Sequence, residues 1–265
     1  MSKHRFSILA ASALAVLISA PAALAADVTD IGFVDQESLS SLPSFASANR
    51  QLNEFGSGLQ RQFTARAKGA PQDQQQKLQQ QFQAQMQQKQ QQLFGPLFAK
   101  AQVAIAAVAS SKNLSVIIDK RIVVAGGVDI TQNVRDLLTS PGDPVPPVAT
   151  PPPSTVGYVD QSAIDNVPKI KAAEQEFATF RTSEDKSASD KMKSVKTESD
   201  RDAVLKDYRK ALDDEGIKVV KPVLDQTRGA IADIAKKKGL SLVLDRSMII
   251  FGGTDITTDV TGAIK

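Results

Sequence analysis

Residues 112–131 read KNLSVIIDKRIVVAGGVDIT, and residues 238–257 read KGLSLVLDRSMIIFGGTDIT. The two stretches match position by position. Leu114 stands for Leu240, Asp119 for Asp245, Gly126-Gly127 for Gly252-Gly253, and Asp129-Ile130-Thr131 for Asp255-Ile256-Thr257. Each stretch reads as a short strand, a two-residue turn, a second strand, a Gly-Gly break and a helix start. In the first copy this predicts a hairpin of Ser115–Asp119 with Ile122–Ala125 across Lys120-Arg121. The glycines read as a turn that redirects the chain, with an anion site at the following helix start as the alternative. Asp119 and Asp245 read as turn residues.

The echo extends outward. IGFVDQESLSSLP at 31–43 returns as VGYVDQSAIDNVP at 156–168, and PLFAKAQVAIAAVASS from Pro96 returns as PVLDQTRGAIADIAKK from Pro222. A long-period repeat decides the architecture before any local reading does. The chain is two copies of one module of roughly 110 residues, an ordinary domain size.

The N-terminus has a different character. Lys3, His4 and Arg5 precede the apolar run SILAASALAVLISA, and Ala23-Leu24-Ala25 offers a small-x-small cleavage site. That pattern predicts a secretory signal peptide over 1–25, cut near Ala25. The apolar run is short for a span of about 20 residues, which argues against a membrane anchor. No other stretch is expected to span, so the exported chain is expected to be soluble. Without the signal, 30 basic residues face 29 acidic ones, which gives no case for nucleic acid as a partner. Cysteine and tryptophan are absent, and the one histidine, His4, lies in the signal. Zinc sites of Cys or His and Ser-His-Asp triads are therefore excluded from the exported part. No enzyme activity and no cofactor are expected.

Between the strand at Ile31–Asp35 and the repeat motif, the pattern is helical. Phe45, Leu52, Phe55, Leu59 and Phe63 form a narrow heptad-type seam. Lys68–Gln72 breaks it at a tip. The return segment, 72–92, is dominated by glutamine; it reads as a return helix, with a disordered low-complexity tract as the alternative. Leu78, Phe82, Met86, Leu93 and Leu97 continue the seam. Two antiparallel helices with facing seams make a coiled-coil arm of about 37 Å at about 1.5 Å per residue. Pro96 and Pro222 occupy equivalent places in the two returns and imply a bend, unless duplication merely carried them along.

Seven prolines between Thr139 and Thr155 predict a semi-rigid linker reaching roughly 50 Å. The second module repeats the plan with Ile170, Phe177, Phe180, Met192 and Val195 on a sparser outgoing seam, a tip near 196–202, and dense mixed charge in place of glutamine. The expected fold is α+β: two tandem modules, at 27–138 and 156–265, joined by the linker 139–155. Each module has a small β body and a long antiparallel coiled-coil helical hairpin arm, and each is expected to fold independently.

In this order, a signal segment, a strand, a long helical hairpin, a strand pair and a short helix resemble the Skp/OmpH family of periplasmic chaperones. The closest motifs are I-G-F-V-D and V-G-Y-V-D, A-I-x-x-[VI]-A at 104–109 and 230–235, L-S-[VL]-[IV]-[IL]-D, and G-G-x-D-I-T. The resemblance covers both modules; the arms match only in pattern. It implies a β body carrying helical arms around a cavity that holds unfolded outer-membrane proteins without ATP. Two modules in one chain depart from the usual family plan.

On that implication, clients contact the arms. The candidate residues on the first arm are Phe55, Leu59, Arg61, Phe63, Arg66 and Lys68 on the way out, and Lys77, Phe82 and Met86 on the way back. On the second arm they are Phe177, Phe180 and Met192. The first arm is basic, with Arg50, Arg61, Arg66, Lys68, Lys77, Lys89 and Lys100 against Glu54 and Asp73. Such an arm attracts acidic clients or anionic lipid headgroups at long range, unless it is only a solvated face. Short strands with open edges imply a homo-oligomer, with a trimer favoured over a dimer or a monomer. The competing function is a coiled-coil spacer or adaptor of the cell envelope.

Overall fold

The structure, a computed structural model, describes residues 30–147 and 152–264. The expected signal peptide and the middle of the proline-rich linker lie outside the described residues. In chain order the first repeat holds β1 (Ile31–Val34), α1 (Gln36–Ser40), α2 (Pro43–Ala67), α3 (Gln72–Ser111), β2 (Val116–Asp119), β3 (Val128–Asp129) and α4 (Thr131–Thr139). The second holds β4 (Val156–Val159), α5 (Gln161–Asp165), α6 (Pro168–Ser194), α7 (Glu198–Glu215), α8 (Lys221–Lys237), β5 (Leu242–Asp245), β6 (Ile249–Gly252), β7 (Thr254–Asp255) and α9 (Thr257–Ala263). The α+β class with long helical arms is the one the sequence implies.

The described residues gather into two units. One contains the first repeat together with Met248–Gly252; the other contains Ser154–Ser247 and the chain from Gly253 onward. In the first unit a four-stranded sheet runs β3-β1-β2-β6. β1 pairs in parallel with β2 and β3, and β6 adds antiparallel to the far side of β2. In the second unit a three-stranded sheet runs β5-β4-β7, with β4 parallel to both neighbours.

The hairpins expected from sequence do not form. β2 pairs with β1, a parallel connection whose crossover is the whole arm. Residues 120–122 wind into a 3₁₀ turn that the Asp119 side chain caps through the Arg121 amide, and 123–126 is not a strand. The reason is local. A two-residue hairpin needs positive φ at its centre, which favours Asn-Gly or Gly-X. Lys120-Arg121 and Arg246-Ser247 supply neither. The aspartates nevertheless cap the turns, Asp245 through the Ser247 amide at 2.8 Å.

Each unit has its own core. In the first, Val34, Ile105, Val108, Ile117, Ile130 and Val134 pack the sheet under the end of α3 and under α4. In the second, Val159, Ile164, Ile231, Ile234, Val243 and Val260 do the same under α8 and α9. Full burial of such a side chain stabilises by about 1.5–3 kcal/mol. On sequence grounds no apolar span is expected beyond the N-terminus, and the structure corrects this. By length and composition alone, a window of α3 with mean hydropathy 1.5 is apolar enough to cross a membrane. The apolarity has a local use, because Ala101, Ala104, Ile105, Val108 and Ala109 are buried inside the unit.

Candidate client-binding arms

The first arm starts at Pro43, which occupies the first turn of α2 where its missing N–H costs nothing. It turns at Gly69, whose φ of 76° suits glycine, and returns along α3. The glutamine tract is helical throughout. The seam has the expected antiparallel register, as nested pairs show. The Phe45 ring lies tilted against Phe94 and Phe98 at the base, with centroids 6.4 and 5.8 Å away. Farther out the Lys89 ammonium sits over the Phe55 ring at 5.8 Å, and Phe63 meets Phe82 edge-on at 6.1 Å. Leu42, Phe45, Ala48 and Phe94 form a small buried cluster where the arm joins the unit.

The second arm is built differently. α6 ends at Ser194, so the turn is 195–197, slightly before the expected tip. Thr197 caps α7 by accepting from the Asp200 amide. The return helix is divided by a π turn at Gly216–Val220, where the Lys221 amide reaches back to the Gly216 carbonyl. Pro222 follows it within the first turn of α8. A proline has no N–H and crowds the carbonyl four residues before it, and a widened turn relieves both problems. In the first arm Pro96 stays inside the continuous α3.

The candidate residues separate into two groups. Phe55, Leu59, Phe63, Phe82 and Met86 are half-buried along the first seam, and Phe177, Phe180 and Met192 are half-buried on the second arm. Arg61, Arg66, Lys68 and Lys77 are exposed on the outer part of the first arm. Thus the apolar candidates mostly hold helix to helix, while the basic ones face solvent.

The charge pattern differs sharply between the arms. Among the described residues, Arg50, Arg61, Arg66, Lys68 and Lys77 form no ion pair. On the second arm, four lysines pair with acids one helical turn away, Lys193 with Asp190, Lys210 with Asp214, Lys218 with Glu215, and Lys221 with Asp225, while Arg181, Lys186, Lys191, Arg201, Lys206 and Arg209 form no ion pair among the described residues. The hydrogen bond to Asp214, and then its charge, raise the Lys210 pKa. Across the arm, Tyr208 donates to Asp185 at 2.5 Å, and that bond, then burial and the carboxylate charge, raise the phenol pKa. The i,i+4 pairs are legible in the sequence as Lys-x-x-x-Asp. The Tyr208–Asp185 bond is not, because it depends on the register between two helices.

A family model described as "Outer membrane protein (OmpH-like)" matches residues 68–138 and 169–264, more than half of the chain. The chain belongs to the OmpH-like family. The match falls on both repeats, as a tandem arrangement requires. It opens at the tip of the first arm and takes in the return helix and the β2–α4 end of the first unit. Members of this family are periplasmic chaperones, not enzymes, and the family points to outer-membrane proteins as substrates. Comparison with curated proteins and with solved structures gave no match.

Proposed function

We propose that the chain is an ATP-independent holdase of the periplasm, exported by a signal peptide over 1–25, that binds unfolded outer-membrane proteins between its coiled-coil arms. The observation that carries this reading is the first arm's outward charge. Its exposed Arg61, Arg66, Lys68 and Lys77 lack acidic partners among the described residues and outnumber the arm's acids, Glu54 and Asp73, whereas the second arm intersperses acids and bases along its length and pairs four of its lysines. An unpaired basic surface on a long lever attracts acidic segments from a distance. Many weak contacts on two arms then add through effective concentration, which suits release without ATP. Anionic lipid headgroups offer the same charge and are the second partner of the arm. The chain works as a homo-oligomer, three chains being favoured.

Suppression of aggregation tests the reading. The protein should keep a denatured outer-membrane β-barrel protein in solution at a near-stoichiometric ratio, without nucleotide. Failure to do so, together with recovery of one fixed envelope partner, would make the chain a spacer.

A further inference from the structure

The return helix of the first arm carries fourteen glutamines between Gln72 and Gln92. Every one of them is exposed. Of the fourteen, Gln75 alone uses its side chain within the fold, donating to the Ala70 carbonyl at 2.8 Å. The remaining carboxamides have no hydrogen-bond partner among the described residues. From Leu78 to Gln88 no residue is charged, so this stretch lies outside the arm's basic pattern.

Helix formation does not explain the choice of residue. Glutamine, glutamate and lysine rank together as helix formers. In the aligned stretch of the second repeat, which opens at Glu198, most of the same places hold charged residues, and α7 is helical all the same. Solubility is served at least as well by charge. What a carboxamide adds is an acceptor and two donors on one uncharged group, the same pairing that a peptide group offers. Gln76, Gln80, Gln83, Gln87 and Gln91 follow one another at steps of three or four, which places them in one stripe along the helix. The seam residues Leu78, Phe82 and Met86 are half-buried on the other side, and the stripe is exposed. It runs for about 22 Å at about 1.5 Å per residue, the span of about seven residues of extended chain. Peptide groups along one edge of such a chain recur about every 6.8 Å, against about 4.5–6 Å between stripe positions, and the flexible glutamine side chain takes up the difference.

We propose that this glutamine stripe hydrogen-bonds the main chain of an unfolded client held in extended form, so that the first arm recognises backbone independently of client side chains. The inference rests on the chaperone reading and specifies its chemistry. An unfolded chain is the occupant because its peptide groups are still unpaired, whereas a folded protein has already paired nearly all of its own. Each bond competes with water and is weak alone, and a row of them on one stiff helix adds through effective concentration. The two surfaces of the arm then divide the work. Arg61, Arg66, Lys68 and Lys77 draw clients in by a force that salt screens, and the carboxamides hold them by contacts between neutral groups that salt leaves largely intact.

In the full chain, Gln76→Glu with Gln80→Lys and Gln83→Glu with Gln87→Lys interrupts the stripe at unchanged net charge, and each Glu–Lys pair at i,i+4 supports the helix. Helicity should match the unsubstituted chain. The probe is a urea-denatured outer-membrane β-barrel protein, diluted into each chain and followed by fluorescence anisotropy at low salt and at about 1 M, where the Debye length is about 3 Å. The unsubstituted chain should still bind at high salt, and the variant should bind severalfold more weakly there. Equal high-salt binding by the two, or binding by the unsubstituted chain at low salt alone, overturns the inference and leaves the chaperone reading standing. No binding by the unsubstituted chain at either salt removes that reading and the inference with it. A second measurement needs no substitution. An uncharged, end-capped peptide of Ser and Thr should compete with the client at high salt, and the same peptide N-methylated at alternate residues should compete severalfold less well, because one edge has lost its donors. Equal competition by the two peptides overturns the inference. So does displacement of the client by a soluble glycan strand, or a variant whose light-scattering mass falls while client binding stays, since the stripe would then serve sugar or a second copy.

Discussion

Asp119 and Gly252 show how much rests on single residues. Asp119 is buried, yet it stays ionised. Burial pushes its pKa up, but the Arg121 side chain, the Arg121 backbone amide and the Arg121 charge together hold it below the ordinary value. Gln36 adds a hydrogen bond to the same carboxylate at 3.0 Å. A carboxyl depressed on folding stabilises the fold above its unfolded pKa of about 3.9, and that contribution is lost as pH falls through the lower folded value. Asp119→Asn should therefore cost about 1–3 kcal/mol at neutral pH and flatten the stability profile below about pH 4, as urea melts at several pH values would show. Gly252→Ala should act at a distance in sequence. Its Cβ would strike the Ser115 carbonyl, and a left-handed conformation alone costs a non-glycine residue about 1–2 kcal/mol. The expected result is faster amide exchange at β2, in the other repeat. Unchanged protection of Val116–Ile118 would contradict the β2–β6 pairing.

At the scale of elements, the arms were readable and the sheets were not. Seam residues such as Phe63 and Phe82 announce themselves by heptad spacing, and the structure places their rings 6.1 Å apart. Which strand sits beside β2 is a choice among distant segments, and no spacing reports it. The missing turn glycine at Lys120-Arg121 was the one local sign against a hairpin. The short α1 also had a local sign, since Asp35 caps it by accepting from the Ser38 amide. The binding candidates were legible only as arm residues; their division into half-buried apolar and exposed basic groups needed the paired helices. That division makes a prediction. Changing Arg61, Arg66, Lys68 and Lys77 to Gln should slow client capture severalfold at low salt and remove most of its salt dependence, with helicity and assembly kept. Stopped-flow binding at two ionic strengths decides this. Deleting 52–92 behind a short turn should abolish aggregation suppression while the assembly persists, and retained suppression would place clients elsewhere.

At the scale of the whole molecule, the question is whether a repeat needs its sister. The expectation from sequence is that 27–140 and 154–265 fold separately, and the second unit supplies a physical reason to expect it. Its sheet has three strands, β5-β4-β7, yet Ile231, Ile256 and Val260 are fully buried in its core. Without β6 the first repeat keeps the matching three strands, β3-β1-β2, and the matching core under α3 and α4. It loses the apolar cover of Ile250 and Phe251, which pack on that core. Removing these two half-buried side chains together with the buried Ile249 of β6 costs about 3–6 kcal/mol on the scale of burial free energies, at the low edge of a typical domain stability of about 5–15 kcal/mol. The isolated first fragment should therefore be helical and melt cooperatively, but at a lower temperature than in the full chain. Adding the second fragment should restore the loss, because Ile249–Gly252 returns to β2. The restoration should vanish when the added fragment carries Gly252→Ala. Calorimetry of the mixture measures all three outcomes. A first fragment as stable alone as in the full chain would mean that β6 contributes nothing to its sheet.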